Sequence, residues 1–90
     1  MYKIDFLDIA KAHLAKLKKS EPDAYKKALK LLLELHEHPT TGTGKPEQLK
    51  HYETPTWSRR ISDRHRLVYQ IHENTVTVLV IAAFGHYEDR

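Results

Sequence analysis

The sequence predicts an α+β protein in which two N-terminal helices pack on one face of an antiparallel sheet, in the order β-α-α-β-β-β. Two features lead to this prediction. Apolar residues recur at helical spacing in two consecutive segments within residues 7–36. Three segments with alternating or β-branched residues follow within residues 57–84, joined by connections of hairpin length. A chain of 90 residues has the size of one domain, and we expect residues 1–90 to form a single unit.

The N-terminal half is expected to hold a short strand and a helix pair. Residues 2–6 alternate in polarity and predict a strand, which can lie at an edge of the sheet. An apolar stripe predicts the first helix, and its members are Leu7, Ala10, Leu14 and Leu17. We expect Ser20 to cap the second helix, Pro22 to lie in its first turn, and Pro39 to end it.

The C-terminal half is expected to hold a loop and then three strands. Residues 40–56 contain two of the three glycines and two of the four prolines, which predicts a loop. The strands are predicted at residues 57–62, 66–72 and 75–84, and their short connections indicate an antiparallel meander. Because the helices cover one face of this sheet, the other face can be open and polar.

Composition excludes several classes of protein. Hydrophobic residues make up 40% of the chain, which is too apolar for a disordered protein. There is no cysteine, so we expect neither a disulfide nor a thiolate metal site. The sequence starts without a secretory signal, and no apolar run is long enough to span a bilayer. We therefore expect a cytoplasmic protein that does not associate with a membrane.

The net charge of +3 is unevenly distributed along the chain. Residues 1–41 contain eight lysines and no arginine, whereas residues 42–90 contain all five arginines. Lysines on an amphipathic helix usually form a solvated face, but a planar guanidinium is the better clamp for a phosphate. An anionic partner is therefore expected at the C-terminal half.

Alternation along the predicted strands separates a core face from an open face. Leu67, Tyr69 and Ile71 share one parity and are expected against the helices, which turns Arg66 to the open face. On the preceding strand the same argument turns Arg60 to the open face, near Arg66 across the hairpin. These two guanidinium groups repel each other unless an anion or a carboxylate lies between them. The alternative is that both are ordinary solvated residues on a strand.

Residues 44–51 add charged groups to this half of the chain, namely Lys45, Glu47, Lys50 and His51. Together with Arg66 and His86, they supply a carboxylate base, several cations and an imidazole acid. These groups are sufficient to cleave RNA without a metal or another cofactor, because the 2′-hydroxyl of the RNA serves as the nucleophile.

The remaining histidines indicate no function. His36 and His38 lie near the end of the second helix, where a partial positive charge suits the helix dipole. No further ligands at convincing spacing accompany them, so we expect no zinc site. His13 is expected on a helix surface, and His65 and His72 are expected in turns.

Three motifs are similar to those of a known family. The segments "GTGKPEQLKH", "WSRRISDRHRLVY" and "GHY" resemble the YoeB/Txe branch of the RelE superfamily of bacterial toxins, over essentially the whole chain. The resemblance implies a RelE-like fold and an mRNA interferase of a type II toxin–antitoxin pair. Toxins of this kind enter the ribosomal A site and cut the mRNA there without metal. A cognate antitoxin, of the YefM/Phd type for this branch, neutralises them.

The resemblance also implies roles for individual residues. By motif, Glu47 corresponds to the general base, Arg66 to the arginine that stabilises the scissile phosphate, and His86 to the general acid. Tyr87 corresponds to the aromatic residue that positions the substrate. The expected contacts to the RNA backbone are Lys50 and Arg60, with Lys45 and His51 as weaker phosphate contacts.

The chain departs from the family pattern at three places. Gln48 stands where a proline is common. Phe84 replaces a basic residue two positions before the histidine, which removes one expected contact to RNA or to the ribosome. Glu88, Asp89 and Arg90 extend beyond the tyrosine, and the two acidic residues do not suit an RNA-facing end.

Two other functions are compatible with the sequence. A ParE-like toxin that binds DNA gyrase would have the same fold, although the acid–base set argues against it. The second alternative is a non-toxic structural protein in which Arg66 and Glu47 form an ion pair. The oligomeric state is open, and a homodimer formed through an edge strand is one option.

Overall fold

The computed structural model describes residues 1–85, and its elements follow the predicted order with one addition. The helices are α1 (Asp8–Ser20) and α2 (Pro22–Leu35). The strands are β1 (Lys3–Phe6), β2 (Glu47–Gln48), β3 (Thr56–Arg60), β4 (Arg66–His72) and β5 (Thr77–Ala82). A 3₁₀ turn, Glu73–Thr75, joins β4 to β5. Within residues 1–85, neither helix has the length and apolar character that crossing a membrane requires.

The strands form one sheet in the order β1-β5-β4-β3-β2. β3, β4 and β5 are antiparallel neighbours, which confirms the predicted meander. β1 lies at an edge as predicted, but it pairs with β5 in parallel, from Lys3 opposite Thr77 to Phe6 opposite Val80. A parallel neighbour needs a long crossover, and the helix pair supplies one between β1 and the rest of the sheet. The sheet is mostly antiparallel, and the predicted α+β class is confirmed.

The segment predicted as a loop at residues 40–56 contains a short strand. Glu47 and Gln48 form β2, which is antiparallel to β3, with Glu47 opposite Ser58 and Gln48 opposite Trp57. Two residues are too few to show alternation, and they lie in a stretch rich in glycine and proline. The loop prediction is wrong at this point, and Glu47 is held by the hydrogen-bonded edge of the sheet.

The two helices cover one face of the sheet. Leu67, Tyr69 and Ile71 are buried on that face as predicted. The fully buried helix residues that meet them are Ala10, Leu17, Ala28, Leu31 and Leu35. Leu7, the first member of the predicted stripe, precedes the first helical residue and is 42% exposed. The stripe therefore predicts the helix correctly but begins one residue too early.

The junction between the helices differs from the prediction. Ser20 is the last residue of α1, and its hydroxyl donates to the Lys16 carbonyl oxygen at 2.8 Å. Glu21 occupies the N-cap position of α2 without a side-chain cap, and Pro22 begins the helix as expected. The Ser20 cap prediction is wrong because its hydroxyl is used to close α1. The Glu21 carboxylate instead meets the His65 ring, with 2.7 Å between Oε2 and Nε2.

A bulge changes the direction in which β5 presents its side chains. Tyr69 of β4 is opposite Val80, whereas Val68 is opposite Ala82, so Ile81 has no partner in β4. Before the bulge, Val80 is buried against the helices; after it, Ala82 is buried with Val68 on the opposite face. Bulges are frequent beside functional sites because they redirect the chain that follows them. The chain that this bulge redirects is the segment that ends in Gly85.

Candidate active site

Two arginines lie side by side on the sheet face that the helices leave uncovered. Arg60 of β3 is directly opposite Arg66 of β4. Arg60 is exposed and Arg66 is partly buried, and the Arg66 Nη1 atom donates to the Ser58 hydroxyl oxygen at 3.3 Å. The predicted proximity of the two arginines is confirmed. Like charges at opposite positions of a sheet repel each other, so the pair creates a strong attraction for an anion.

Glu47 lies on the same face as the arginines. It is opposite Ser58 in the sheet, and Ser58 is in turn opposite Val68. Opposite residues in a sheet place their side chains on the same face. Ser58, whose hydroxyl accepts the hydrogen bond from Arg66, therefore lies on the strand between exposed Glu47 of β2 and Arg66 of β4. Pairing of β2 with β3 thus places the Glu47 carboxylate on the same sheet face as the Arg66 guanidinium.

A small apolar cluster covers part of this face, which was predicted to be open and polar. Leu49, Val68 and Ala82 are buried together, with Tyr52 and Ile81 packed against them. The Leu49 amide also donates to the Thr56 carbonyl oxygen at 2.8 Å. The cluster fastens the segment after β2 onto the sheet. The alternation in β4 placed Val68 on this face, but its partner Leu49 lay in a predicted loop and was missed.

The chain reaches Glu47 through a tight turn beside Arg60. The Arg60 amide donates to the Gly44 carbonyl oxygen at 2.7 Å. Gly44 has a φ of +86°, and a Cβ atom there would lie 2.9 Å from the Arg60 carbonyl oxygen, so glycine is required. Lys45, which follows it, is exposed and therefore starts next to Arg60. Lys50 and His51 are exposed and follow β2 along the same segment.

Arg59 is a buried residue whose importance the sequence analysis missed. Its side chain is fully buried on the helix side of β3, where Nη1 donates to the Glu34 carboxylate at 2.9 Å. Nε donates to the Tyr69 hydroxyl at 3.0 Å, and Nη2 donates to the carbonyl oxygens of Thr41, at 2.6 Å, and His38. Arg59 shares its parity with the core residues of β3, and a cation at a core position is the signal that could have identified this network.

The pKa values of two residues in the Arg59 network, Glu34 and Tyr69, are shifted. The pKa of Glu34 is lowered, first by hydrogen bonding from Thr43 and further by the charge of Arg59. The Thr43 amide donates to Glu34 Oε1 at 2.8 Å. Burial raises the pKa of Tyr69, against the opposing effect of Arg59. The end of α2, the turn before Gly44 and the sheet are therefore joined by one charged cluster behind the candidate site.

His65 is a second buried residue whose contacts the sequence did not predict. It precedes β4 and is only 1% exposed. Its Nε2 atom lies 2.7 Å from the Glu21 carboxylate, and its Nδ1 atom accepts a hydrogen bond from the Gly85 amide at 2.9 Å. The expectation of a turn histidine without a function is therefore incomplete. Both partners are distant in sequence, so no local pattern could have indicated these bonds.

His13 also differs from its prediction as a surface residue of a helix. It is partly buried, and its Nδ1 atom accepts a hydrogen bond from the Ala83 amide at 3.1 Å. Burial, and secondarily the charge of Lys16, lowers the pKa of His13. The neutral ring that accepts this bond is therefore the favoured form.

Phe84, the departure from the family pattern, is used for packing. Its ring centroid lies 4.2 Å from that of His65 and 6.1 Å from that of His13. The Lys16 ammonium lies 4.2 Å from the same ring centroid, a cation–π contact. A basic charge therefore stands beside residue 84, although it is carried by α1.

The end of the described chain lies beside Arg66. The Arg66 amide donates to the Gly85 carbonyl oxygen at 3.0 Å. The predictions for His86, Tyr87 and the three residues after them fall outside the described residues. Among the predicted site residues, the structure thus brings Glu47, Arg60 and Arg66 to one face, with Lys45 at its margin.

Comparison with known proteins gives one consistent family. The model of the family described as "YoeB-like toxin of bacterial type II toxin-antitoxin system" matches residues 9–87. Toxin YoeB of Escherichia coli K12 is 42% identical over 62 residues, which cover 69% of this chain and 71% of that toxin.

Solved structures of toxins share this fold. The YoeB dimer from Staphylococcus aureus is 31% identical with a TM-score of 0.82, over 96% of this chain and 98% of that chain. YoeB in a heterotetrameric YoeB–YefM complex of the same species is 30% identical with a TM-score of 0.79, over 97% and 99% of the chains. The RelE–RelB complex from Pyrococcus horikoshii, 15% identical with a TM-score of 0.76 over 93% of each chain, shows the fold alone. The predicted RelE-like fold is confirmed.

Proposed function

This chain belongs to the YoeB-like toxins of bacterial type II toxin–antitoxin systems, and we propose that it is a ribosome-dependent endoribonuclease that cuts mRNA in the A site. The observation that carries the proposal is the sheet register. It places Arg60 opposite Arg66 and Glu47 opposite Ser58, which accepts a hydrogen bond from Arg66. A carboxylate next to paired guanidinium groups on one exposed face suits a reaction at a phosphodiester.

The proposed reaction uses the RNA as its own nucleophile. Glu47 accepts the proton of the 2′-hydroxyl, and the resulting oxygen attacks the adjacent phosphorus. Arg66 stabilises the negative charge that develops on the non-bridging oxygens. His86 donates a proton to the 5′-oxygen as the P–O bond breaks, which yields a 2′,3′-cyclic phosphate and a 5′-hydroxyl. Tyr87 positions the substrate beside His86.

Basic residues around this face are proposed to hold the RNA backbone. The proposed contacts are Arg60, Lys50, Lys45 and His51. Lys45 is exposed and follows Gly44, whose carbonyl oxygen accepts a hydrogen bond from the Arg60 amide at 2.7 Å, so its backbone lies close to that of Arg60. A row of cations next to a single carboxylate favours a polyanion over a neutral ligand.

The proposed protein partner is an antitoxin of the YefM type. The support is the solved YoeB–YefM complex from Staphylococcus aureus, whose YoeB chain shares 30% identity with this one. The YoeB dimer of the same species supports a homodimer as one assembly of this chain.

The alternatives from the sequence analysis are less well supported. The family match is to YoeB-like toxins, so a gyrase-binding function is not favoured. In the part of the chain that the structure describes, Arg66 bonds to Ser58, and the salt bridges formed there do not join Arg66 to Glu47. A purely structural Glu47–Arg66 ion pair therefore has no support.

Primer extension on mRNA after induced expression tests the proposal. Arg66→Ala should lower cleavage by about 10²–10³-fold, because it removes the group that stabilises the phosphate charge. Glu47→Gln and His86→Gln should also lose cleavage, and all three variants should still bind the antitoxin. Arg64→Ala is the matched control, since it removes the same charge from an exposed residue between β3 and β4. Full cleavage by Arg66→Ala would contradict the mechanism.

A further inference from the structure

Two imidazole rings hold the backbone that follows β5. His13 of α1 accepts a hydrogen bond from the Ala83 amide at 3.1 Å, and His65 accepts one from the Gly85 amide at 2.9 Å. Beyond the end of the strand, backbone amides no longer bond to a neighbouring strand. Hydrogen bonds from these amides to the two imidazole rings take the place of those inter-strand bonds. The bond from the Gly85 amide to His65 is the better protected one, because His65 is 1% exposed.

Both ring nitrogens of His65 are engaged, and their roles are determined by their partners. A backbone amide can only donate, so Nδ1 carries no proton and Nε2 carries the ring proton. The Nε2 proton is donated to the Glu21 carboxylate at 2.7 Å. The N-cap residue of α2 thereby fixes the orientation of the His65 ring. An imidazole held by a carboxylate on one nitrogen presents the other in a defined direction.

Gly85 is held on both of its sides. Its amide is bound by the His65 ring at 2.9 Å, and its carbonyl oxygen is bound by the Arg66 amide at 3.0 Å. Its φ of +76° is a conformation that glycine adopts without strain. The Phe84 ring, which precedes Gly85, packs against the His65 ring at a tilt of 44° and a centroid distance of 4.2 Å.

We infer that His65 is a positioning residue for RNA cleavage, which acts by holding Gly85 in place against Arg66. His86 follows Gly85 in the sequence, and the proposed reaction needs its imidazole at the same phosphodiester as the Arg66 guanidinium. His65 and Arg66 are consecutive, so one short segment of the chain fixes Gly85 and also presents the phosphate-binding cation. The inference rests on the proposed function, because it requires His86 to be the general acid.

Two substitutions of His65 separate its two hydrogen bonds. His65→Asn places an amide oxygen near the position of Nδ1, so it can still accept from the Gly85 amide while the bond to Glu21 is lost. His65→Gln reaches the position of Nε2, so it keeps a bond to Glu21 and loses the one to Gly85. Each variant retains one of the two bonds, which makes each the control for the other.

Cleavage is measured on ribosome complexes programmed with mRNA, with the toxin concentration varied. His65→Gln should lower kcat by up to about 10²-fold, which is the cost of a catalytic group displaced by about 1 Å. The toxin concentration for half-maximal rate should stay unchanged, because the cations that hold the RNA are not affected. His65→Asn should keep most of the wild-type kcat, because it retains the bond to the Gly85 amide. A merely structural role would lower the activity of both variants in proportion to their folded fraction, which unfolding by urea measures.

Hydrogen exchange gives a second measurement, which does not require the His65 variants to fold. In the Glu47→Gln protein, the Gly85 amide should exchange slowly, as an amide bound to a buried ring does. Fast exchange of this amide would overturn the inference.

The outcomes distinguish this inference from the proposed function. If the wild-type protein does not cut mRNA, or if His86→Gln cuts it at the wild-type rate, the proposed function fails and the role of His65 fails with it. If wild type and His86→Gln behave as proposed but His65→Gln has the wild-type kcat, only the positioning role of His65 is refuted.

Discussion

At the scale of single residues, the neutral imidazole of His13 is a structural requirement. Its Nδ1 atom can accept from the Ala83 amide only while that nitrogen carries no proton. Burial and the nearby Lys16 lower the pKa of His13 from its usual 6.5, which favours this neutral form. The helical pattern predicted only a surface position for His13. It could not indicate the hydrogen bond from Ala83, because Ala83 is distant in the sequence.

The His13 titration predicts how stability depends on pH. As the pH falls below 6.5, the unfolded chain binds the proton before the folded protein does. The contribution of His13 to the free energy of unfolding is thus fully present above pH 6.5 and is lost as the pH falls through the lower folded pKa. Urea unfolding at several pH values should show a steeper acid loss for wild type than for His13→Gln. Identical pH dependence of the two proteins would refute this prediction.

At the scale of elements, Arg59 joins α2 and the turn that follows it to β3. Its guanidinium is fully buried and binds the Glu34 carboxylate, whose side chain is 23% exposed, together with carbonyl oxygens of the turn. Such a cluster leaves several buried acceptors without a donor when the cation is removed. The path of the chain toward Gly44 and Glu47 therefore depends on the Arg59 side chain, which lies on the helix-covered face of the sheet, opposite the face of Glu47.

Adjacent arginines provide a direct test of this network. Arg59→Ala should lower the free energy of unfolding by about 3–5 kcal/mol, the usual cost of removing one partner of a buried ion pair. Arg60→Ala changes the same residue type at an exposed position, and its effect on stability should be within about 0.5 kcal/mol. Unfolding by urea measures both values. Equal losses for the two variants would show that Arg59 has no special role.

The sequence predicted those elements that are long enough to carry a period. The alternation in β4 correctly separated Leu67 from Arg66, and the alternation in the preceding strand correctly placed Arg60 beside Arg66. β2 was missed because two residues have no period. The parallel partner of β1 was missed because alternation indicates a strand but not its neighbour. The contacts of His65 were missed because they depend on how distant segments meet.

At the scale of the whole molecule, the two halves of the chain carry different kinds of positive charge. The arginines, together with Lys45 and Lys50, lie in residues 42–90, whereas the other eight lysines lie in residues 1–41. Exposed lysines such as Lys26 of α2 belong to the helix layer, which covers the sheet face opposite Arg66. The net charge alone therefore says little about where a polyanion binds.

Salt dependence can distinguish the two groups of lysines. For a fluorescent single-stranded RNA, the logarithm of the binding constant should fall linearly with the logarithm of the salt concentration. Each phosphate that the protein neutralises contributes about 0.7 to the steepness of this slope. Lys45→Ala should reduce the slope by about that amount, measured by anisotropy in a Glu47→Gln background that prevents cleavage. Lys26→Ala removes the same charge from the helix layer and should leave the slope unchanged. A similar reduction of the slope in both variants would contradict the prediction that RNA binds on the sheet face of Arg66 and not on the helix layer.

The position of β5 in the sheet determines when the sheet can be completed during synthesis of the chain. Among the strands within residues 1–85, β5 comes last along the chain, yet it lies inside the sheet, between β1 and β4. A chain still under synthesis can pair β3 with β4, but β1 has no neighbour to join until β5 has been made. The same late segment carries Gly85 to Arg66. Sheet and candidate site are therefore completed only once β5 and the segment up to Gly85 have been made, so a prematurely terminated chain that lacks β5 has neither.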